Sequence, residues 1–222
     1  MDYATQRKNM VESQVRPSDV TDRRIIRAML ELPREAFVPE KVRELAYMDG
    51  PVPIAPGDER RPRRALLEAR TLAKLVQAAE IDATSTVLAV GAGSGYGAAL
   101  IGRLAQSVVA LECDGVLAAA AREALGRAGA SNVVLVEGDL PAGWVSEAPY
   151  DAIVVDGAVT SVPPALLDQL KDGGRLVAIV GDRTAGRATV VIRDGSVFGA
   201  VAVFDAAAEV LPGFEKVPAF TF

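Results

Sequence analysis

The 222-residue chain contains no histidine. Its absence excludes histidine general bases, Ser-His triads and histidine metal sites together. Cysteine is almost as scarce. With Cys113 alone, no disulfide framework can form and no cluster of thiols is available for zinc. Cys113 reads as a small buried hydrophobe beside Glu112. No apolar run approaches the ~18 residues of a membrane span. The polar opening, residues 1–7, has none of the character of a signal peptide, so a soluble cytoplasmic protein is expected. Net charge is −5, which argues against broad attraction to nucleic acid. No internal repeat or low-complexity tract is visible. What the chain has in quantity is apolar: half of its residues are hydrophobic, enough for a sizeable core in one domain with a modest appendage.

The stretch Val87-Leu88-Ala89-Val90-Gly91-Ala92-Gly93-Ser94-Gly95-Tyr96 organises that core. Four apolar residues without a polar face suit a buried parallel strand. The glycines permit a sharp turn and a close backbone approach to a ligand. The apolar residues of 96–104 then follow at helical spacing, and the start of such a helix offers free N–H groups and a positive dipole end. The dinucleotide fingerprint fails, because counting from Gly91 its last position falls on Tyr96. A phosphate-binding P-loop fails too, since no Lys-Ser or Lys-Thr pair follows. Glu112 closes the next apolar run, 108–111, where a strand-end carboxylate can accept both hydroxyls of a ribose. Asp139 follows the third run, 133–136, in Glu137-Gly138-Asp139, within reach of an adenine amino group. A glycine turn, an acid and a Gly-Asp, each at a strand end, resemble the S-adenosylmethionine site of class I methyltransferases.

Strand and helix alternate regularly from there. Strands are expected at 86–90, 107–112, 132–136, 151–155 and 175–180. Helices are expected at 95–104, 114–127 with Asp114 as a candidate cap, and 163–170. A hairpin turning at Asp194-Gly195 joins strands 188–193 and 196–204. Repeated strand–helix units predict a mostly parallel sheet with right-handed crossovers. The expected fold is thus α/β, of the Rossmann-like class I methyltransferase type. It has seven strands, helices on both faces and a C-terminal antiparallel hairpin. Before it, residues 2–15 read as one helix, stopped by Pro17. A second runs from a cap at Ser18 or Thr21 through Ile25, Ile26, Met29 and Leu30 to Pro33. A proline-punctuated stretch to Pro62 reads as irregular, and a helix covers 66–79. The division is an N-terminal cap of 1–64, acting as cover for a sheet edge or as a lid over the ligand, and a core of 65–222.

Several segments resemble the protein-L-isoaspartate O-methyltransferases. They are Val11-Glu12-Ser13-Gln14-Val15, Pro33-Arg34-Glu35-Ala36-Phe37-Val38-Pro39, Ala46-Tyr47-Met48-Asp49 and Gly93-Ser94-Gly95-Tyr96. To these are added Asn132-Val133, Ala148-Pro149-Tyr150-Asp151 and the run Pro163 to Leu170. The resemblance covers about residues 9–181 and implies S-adenosylmethionine as methyl donor and S-adenosylhomocysteine as product. It implies esterification of isoaspartyl carboxyls in damaged proteins, a repair step. The family's Gly-Gln-Thr-Ile-Ser-Gln-Pro loop is missing: no Ser or Thr occurs from Met48 to Arg70, and Gly138-Asp139 is followed by Leu140 rather than Gly.

The candidate cofactor contacts are Gly91, Ala92, Gly93, Ser94, Gly95, Glu112, Cys113, Gly138, Asp139, Leu140 and Asp156. Asp156 and Tyr96 are candidates to border the transferred methyl; Asp156 reads equally as a strand-end cap. Arg60, Arg61, Arg63 and Arg64 form a solvated charge run or hold an anionic acceptor, for which the guanidinium fork is suited. No metal site is expected. The expected partner is an isoaspartyl protein or peptide, or a small acceptor. Two further readings remain open: a methyltransferase of the same descent with another, small anionic acceptor, and a non-catalytic binding module on the same fold.

Overall fold

The computed structural model describes residues 2–58 and 62–215. Helix α1, Tyr3–Met10, starts on the Asp2 carboxylate, which accepts from the Ala4 and Thr5 N–H groups at 3.1 Å. The single helix expected over 2–15 is instead α-helical only to Met10. It widens to a π turn at Val11–Val15 and tightens to a 3-10 turn at Arg16–Ser18, where Asp19 takes a left-handed φ of 61°. Helix α2, Arg23–Glu31, is capped by Asp22, not by Ser18 or Thr21. The Asp22 carboxylate takes the Arg24 N–H at 2.8 Å. Its inward face, Ile25, Ile26, Ala28 and Met29, is buried.

The proline-rich stretch holds more regular structure than its composition suggests. Two 3-10 turns, Arg34–Phe37 and Glu40–Leu45, precede an antiparallel pair, β1 (Val52–Ala55) and β2 (Arg64–Leu66). Val52 lies opposite Leu66 and Pro53 opposite Ala65, and the pairing tolerates Pro53 because in a two-stranded sheet each strand is an edge. The expected cap boundary at 64 falls at the start of β2.

After α3 (Ala69–Ala78) the alternation is β3 (Thr86–Val90), α4 (Tyr96–Gly102), β4 (Ser107–Glu112), α5 (Gly115–Arg127) and β5 (Val133–Glu137). Then come β6 (Tyr150–Val159), α6 (Pro164–Leu167), β7 (Leu170–Gly181), β8 (Gly186–Asp194) and β9 (Val197–Asp205). The seven-stranded sheet runs β5-β4-β3-β6-β7-β8-β9, parallel as far as β7 and antiparallel in its last two pairs. This is the class I methyltransferase arrangement anticipated above. Within β3 and β4 the residues alternate between the two faces. Val87, Ala89, Val108 and Ala110 join the core shared with α1–α5 and the cap. Leu88, Val90, Val109 and Leu111 join a second core with Leu140, Tyr150, Leu166 and Leu211. Burial on both faces explains why each strand reads as a continuous apolar run.

The chain leaves β3 toward β4 and β5 on one side and returns to pair β6 on the other. Such a switch point opens a crevice beyond the strands' carboxyl ends, the usual ligand position in open α/β sheets. Here the crevice is roofed by the C-terminal segment. Val210 bridges Ala158, the Leu211 N–H bonds to the Ala158 carbonyl at 2.9 Å, and Thr160 Oγ1 bonds to the Phe214 carbonyl at 2.6 Å. Among the described residues no helix is long and apolar enough to cross a membrane.

Candidate active site

The crevice is built on the turn that follows β3. Gly91, Gly93 and Gly95 all take positive φ, 78°, 56° and 94°, a region other residues enter at a cost of about 1 kcal/mol or more. The turn is tied to the neighbouring strand: the Gly91 and Ala92 N–H groups both bond to the Leu111 carbonyl, at 2.9 and 3.0 Å. A Cβ on Gly91 would run into Leu211, and one on Gly93 would meet Ile54 Cδ1 at 2.9 Å. The turn is therefore wrapped closely by the chain's own side chains. Ala92 and Ser94 are buried, and among the described residues Ser94 Oγ and Tyr96 Oη have no hydrogen-bond partner.

Glu112, at the end of β4, is fully buried and is the most heavily bonded carboxylate of the crevice. Its Oε2 accepts the Gly93 N–H at 2.7 Å; its Oε1 accepts the Cys113 and Asp114 N–H groups at 2.9 and 3.0 Å. Arg64, from β2, lies on it in a two-pronged ion pair. Nη1 reaches Oε1 and Nη2 reaches Oε2, both at 2.8 Å, and Nη2 also bonds to the Gly91 carbonyl at 3.3 Å. Burial alone would push the Glu112 carboxyl up. The Arg64 guanidinium and the backbone donors outweigh it and hold the group below the usual carboxylate range.

Asp156 sits across the crevice within β6, next after Val155, where that strand's pairing with β3 stops. The strand pairs β3 up to Val155, then shifts register against β7 between Val154 and Ala158. That bulge turns Asp156 and Gly157 to the rim. Its carboxyl packs so closely on α4 that a Cβ on Gly97 would collide with it. Burial pushes the Asp156 carboxyl up to about 7, with Glu112 adding to the effect, although Arg34 and Arg64 pull the other way.

The remaining expected contacts fall on the same rim with different exposures. The Gly138 N–H bonds to the Glu112 carbonyl at 3.0 Å, Asp139 is exposed and Leu140 is buried in the second core. Cys113 is exposed, not buried as expected: β4 ends at Glu112, and the next residue already belongs to the turn into α5. Its sulfur is nevertheless partly withdrawn from water, and this desolvation, with the Glu112 charge adding to it, raises the thiol to about 11. Arg63 is exposed and Arg64 buried; Arg60 and Arg61 lie outside the described residues. A cavity of about 270 Å³ is lined by Arg63, Arg64, Glu68, Asp156, Gly157 and Leu211, among others. A second hollow, about 500 Å³, is lined by Pro62, Arg64, Cys113, Asp114, Gly115, Val116 and Pro212. Arg64 is common to both. A wider recess of about 740 Å³ at the β8–β9 edge includes neither the glycine turn, Glu112 nor Asp156.

Two contributors escaped sequence reasoning. Arg34 is fully buried. Its Nε bonds to the Ala46 carbonyl at 2.8 Å, its Nη2 to the Leu67 carbonyl at 2.7 Å, and its guanidinium lies 4.7 Å from the centre of the Tyr96 ring. It thereby fastens the cap to the first turn of α4. Leu211 comes from a C-terminal stretch without periodicity, so nothing in its sequence marks it as a cover for Gly91 and Gly157.

These residues suit an adenosyl sulfonium. Glycine at 91, 93 and 95 keeps those positions of the turn's backbone free of Cβ atoms, a buried carboxylate stands at the next strand end, and Ser94 Oγ has no partner of its own among the described residues.

Known proteins are similar to this chain in sequence and in fold. A family model described as protein-L-isoaspartate(D-aspartate) O-methyltransferase matches residues 5–202. A protein-L-isoaspartate O-methyltransferase of Methanoculleus marisnigri is 43% identical over 178 residues, 80% of this chain and 78% of that protein. One from Rhodopseudomonas palustris is 41% identical over 186 residues, 83% of this chain and 74% of that protein. A solved protein-L-isoaspartate O-methyltransferase superposes with a TM-score of 0.82 at 25% identity, over 93% of this chain and 66% of that one. One from Plasmodium falciparum, in complex with S-adenosyl-L-homocysteine, superposes at 0.73 with 19% identity, over 95% of this chain and 98% of that one, a likeness of fold. With a family model matching residues 5–202 and relatives above 40% identical over most of both chains, the chain belongs to the protein-L-isoaspartate(D-aspartate) O-methyltransferase family.

Proposed function

We propose that this protein is an S-adenosylmethionine-dependent methyltransferase that esterifies isoaspartyl carboxyls of damaged proteins. The observation that carries the reading is the Gly91–Gly95 turn closed onto the buried Glu112 carboxylate at the switch point of a chain from this family.

When bound, S-adenosylmethionine supplies a methyl already activated on a sulfonium, which a carboxylate can take without prior deprotonation. The protein's task is therefore placement more than proton transfer, and holding two reactants in line accounts for most of the acceleration such a site can offer. That is consistent with a chain that has no histidine. In this reading Glu112 accepts the ribose hydroxyls, Asp139 receives the adenine amino group, and the Gly91–Gly95 backbone surrounds the methionine portion. Gly138, Leu140 and Cys113 complete the adenosine wall. Asp156 and Tyr96 border the methyl. With its carboxyl raised to about 7, Asp156 is mostly neutral in mildly acidic solution and does not repel an anionic acceptor there. Arg63, exposed and lining the cavity beside Asp156, attracts that acceptor.

A second reading, another acceptor for the same methyl, is favoured by two observations. The stretch Met48 to Arg70 has no Ser or Thr, and the cavity beside Asp156 is also lined by Glu68 and Glu209.

The test uses a labelled methyl donor and an isoaspartyl peptide. Base-labile incorporation is expected, absent with the aspartyl peptide of the same sequence. Calorimetric binding of S-adenosylhomocysteine without any incorporation would pass the case to the second reading.

A further inference from the structure

We propose that Arg64 is a built-in competitor for the cofactor's ribose position, and that the adenosyl group enters only when this guanidinium leaves Glu112. The inference rests on the cofactor reading above and adds a requirement that reading does not contain.

A carboxylate offers about four lone-pair positions. Glu112 already receives the Gly93, Cys113 and Asp114 N–H groups and both prongs of Arg64, at 2.7 to 3.0 Å. Its acceptor capacity is full, so two ribose hydroxyls have nothing left to bond. The three backbone donors belong to the turn after β3 and the turn into α5, and cannot withdraw without rebuilding the carboxyl ends of two interior strands. Arg64 is the one donor carried on a long side chain. It comes from a three-residue strand whose ties are to β1.

Space gives the same answer. Arg64 lines both the ~270 Å³ cavity at Asp156 and the ~500 Å³ hollow at Cys113 and Asp114, and so stands between them. Withdrawn, it would join the two into one cleft, with Glu112 at the junction. Charge adds a third argument: a buried guanidinium against the Gly91 carbonyl occupies the wall that a cationic sulfonium would have to face.

The experiment measures S-adenosylhomocysteine binding by calorimetry to the full chain and to its Arg64→Gln and Arg64→Lys variants, with folding checked by circular dichroism. Arg64→Gln is expected to bind at least tenfold tighter than the unaltered protein. Arg64→Lys should fall between them, since an ammonium replaces the two-pronged fork. In the unaltered protein, nuclear magnetic resonance should show slowly exchanging Arg64 guanidinium protons that vanish at saturating ligand. Binding at unaltered or weaker affinity in a folded variant would overturn the inference while leaving the cofactor reading intact. So would guanidinium protons that persist at saturation. Absence of binding to the unaltered protein and both variants would bring down the cofactor reading, and this inference with it.

Discussion

Two acids face each other across the crevice, and their surroundings differ in kind. Glu112 ends a strand that runs directly into the capping turn of α5. That turn aims the Cys113 and Asp114 N–H groups back at the carboxylate, while Gly93 and Arg64 close in from the other side. Asp156 lies within β6 at the bulge where that strand slips register against β7, and among the described residues it receives no hydrogen bond; its opposite charges, Arg34 and Arg64, act at a distance. Glu112 is fully buried and Asp156 half-buried, yet the first is held ionised and the second is pushed up to about 7. Burial alone does not decide a carboxyl's charge; the backbone donors that the local turn delivers do. The crevice thus combines a fixed anion with a group whose charge changes near neutral pH.

The largest expected effect comes from breaking the saturated side. Glu112→Ala would strand the buried Arg64 guanidinium and leave three N–H groups without their acceptor. Removing one partner of a buried ion pair typically costs about 3–5 kcal/mol. Urea denaturation should show a loss of that size. A loss under about 1 kcal/mol would mean that Arg64 is not held as described.

The opposite side should respond with the opposite sign. Asp156→Asn removes an ionisation that folding disfavours. Because the folded-state value lies above the ordinary 3.8, the stability associated with protonated Asp156 is fully present below pH 3.8 and is lost as pH rises through about 7. The variant should therefore gain on the unaltered protein from about pH 4 to 7 and keep a constant lead above that. The lead is expected to be about 2–4 kcal/mol, since a tenfold change in proton affinity is worth roughly 1.4 kcal/mol and the side open to the cavity lowers the total. Denaturation midpoints measured from pH 4 to 8 would decide it; parallel curves would remove the contrast between the two acids.

How much of this is legible in the sequence depends on whether the signal is local. The bounds of β3 and β4 follow from the sequence to the residue, because strands buried on both faces form unbroken apolar runs that end at glycine or charge. Glu112 is identifiable as a strand-end acid for the same reason. β6 and β7 run longer than expected, since pairing resumes beyond the polar breaks at Asp156-Gly157 and Lys171–Gly174, across a register shift at each. The expected helix 163–170 shrinks to Pro164–Leu167 because Leu170 pairs with Tyr150, and the Tyr150 N–H bonds to the Gln169 carbonyl at 2.8 Å. The ion pair joining Arg64 to Glu112 spans 48 positions. It depends on a short hairpin in a proline-rich stretch, where three residues give no periodicity to read. The charge run 60–64 therefore divides: exposed Arg63 fits a solvated loop, whereas Arg64 is part of the interior.

A smaller substitution separates the turn from the carboxylate it serves. Asp114 has two roles at the start of α5. Its N–H donates to Glu112, and its Oδ1 accepts the Val116 and Leu117 N–H groups at 2.8 and 3.1 Å as the helix cap. Asp114→Ala removes the second role and keeps the first, because the backbone donor is unchanged. Loss of such a cap costs about 1 kcal/mol, so the variant should lie well above Glu112→Ala in urea midpoint. If the two fall equally, the turn into α5 rather than the carboxylate holds Arg64 in place, and the difference between the two ends of the crevice would have to be rebuilt on the helix cap.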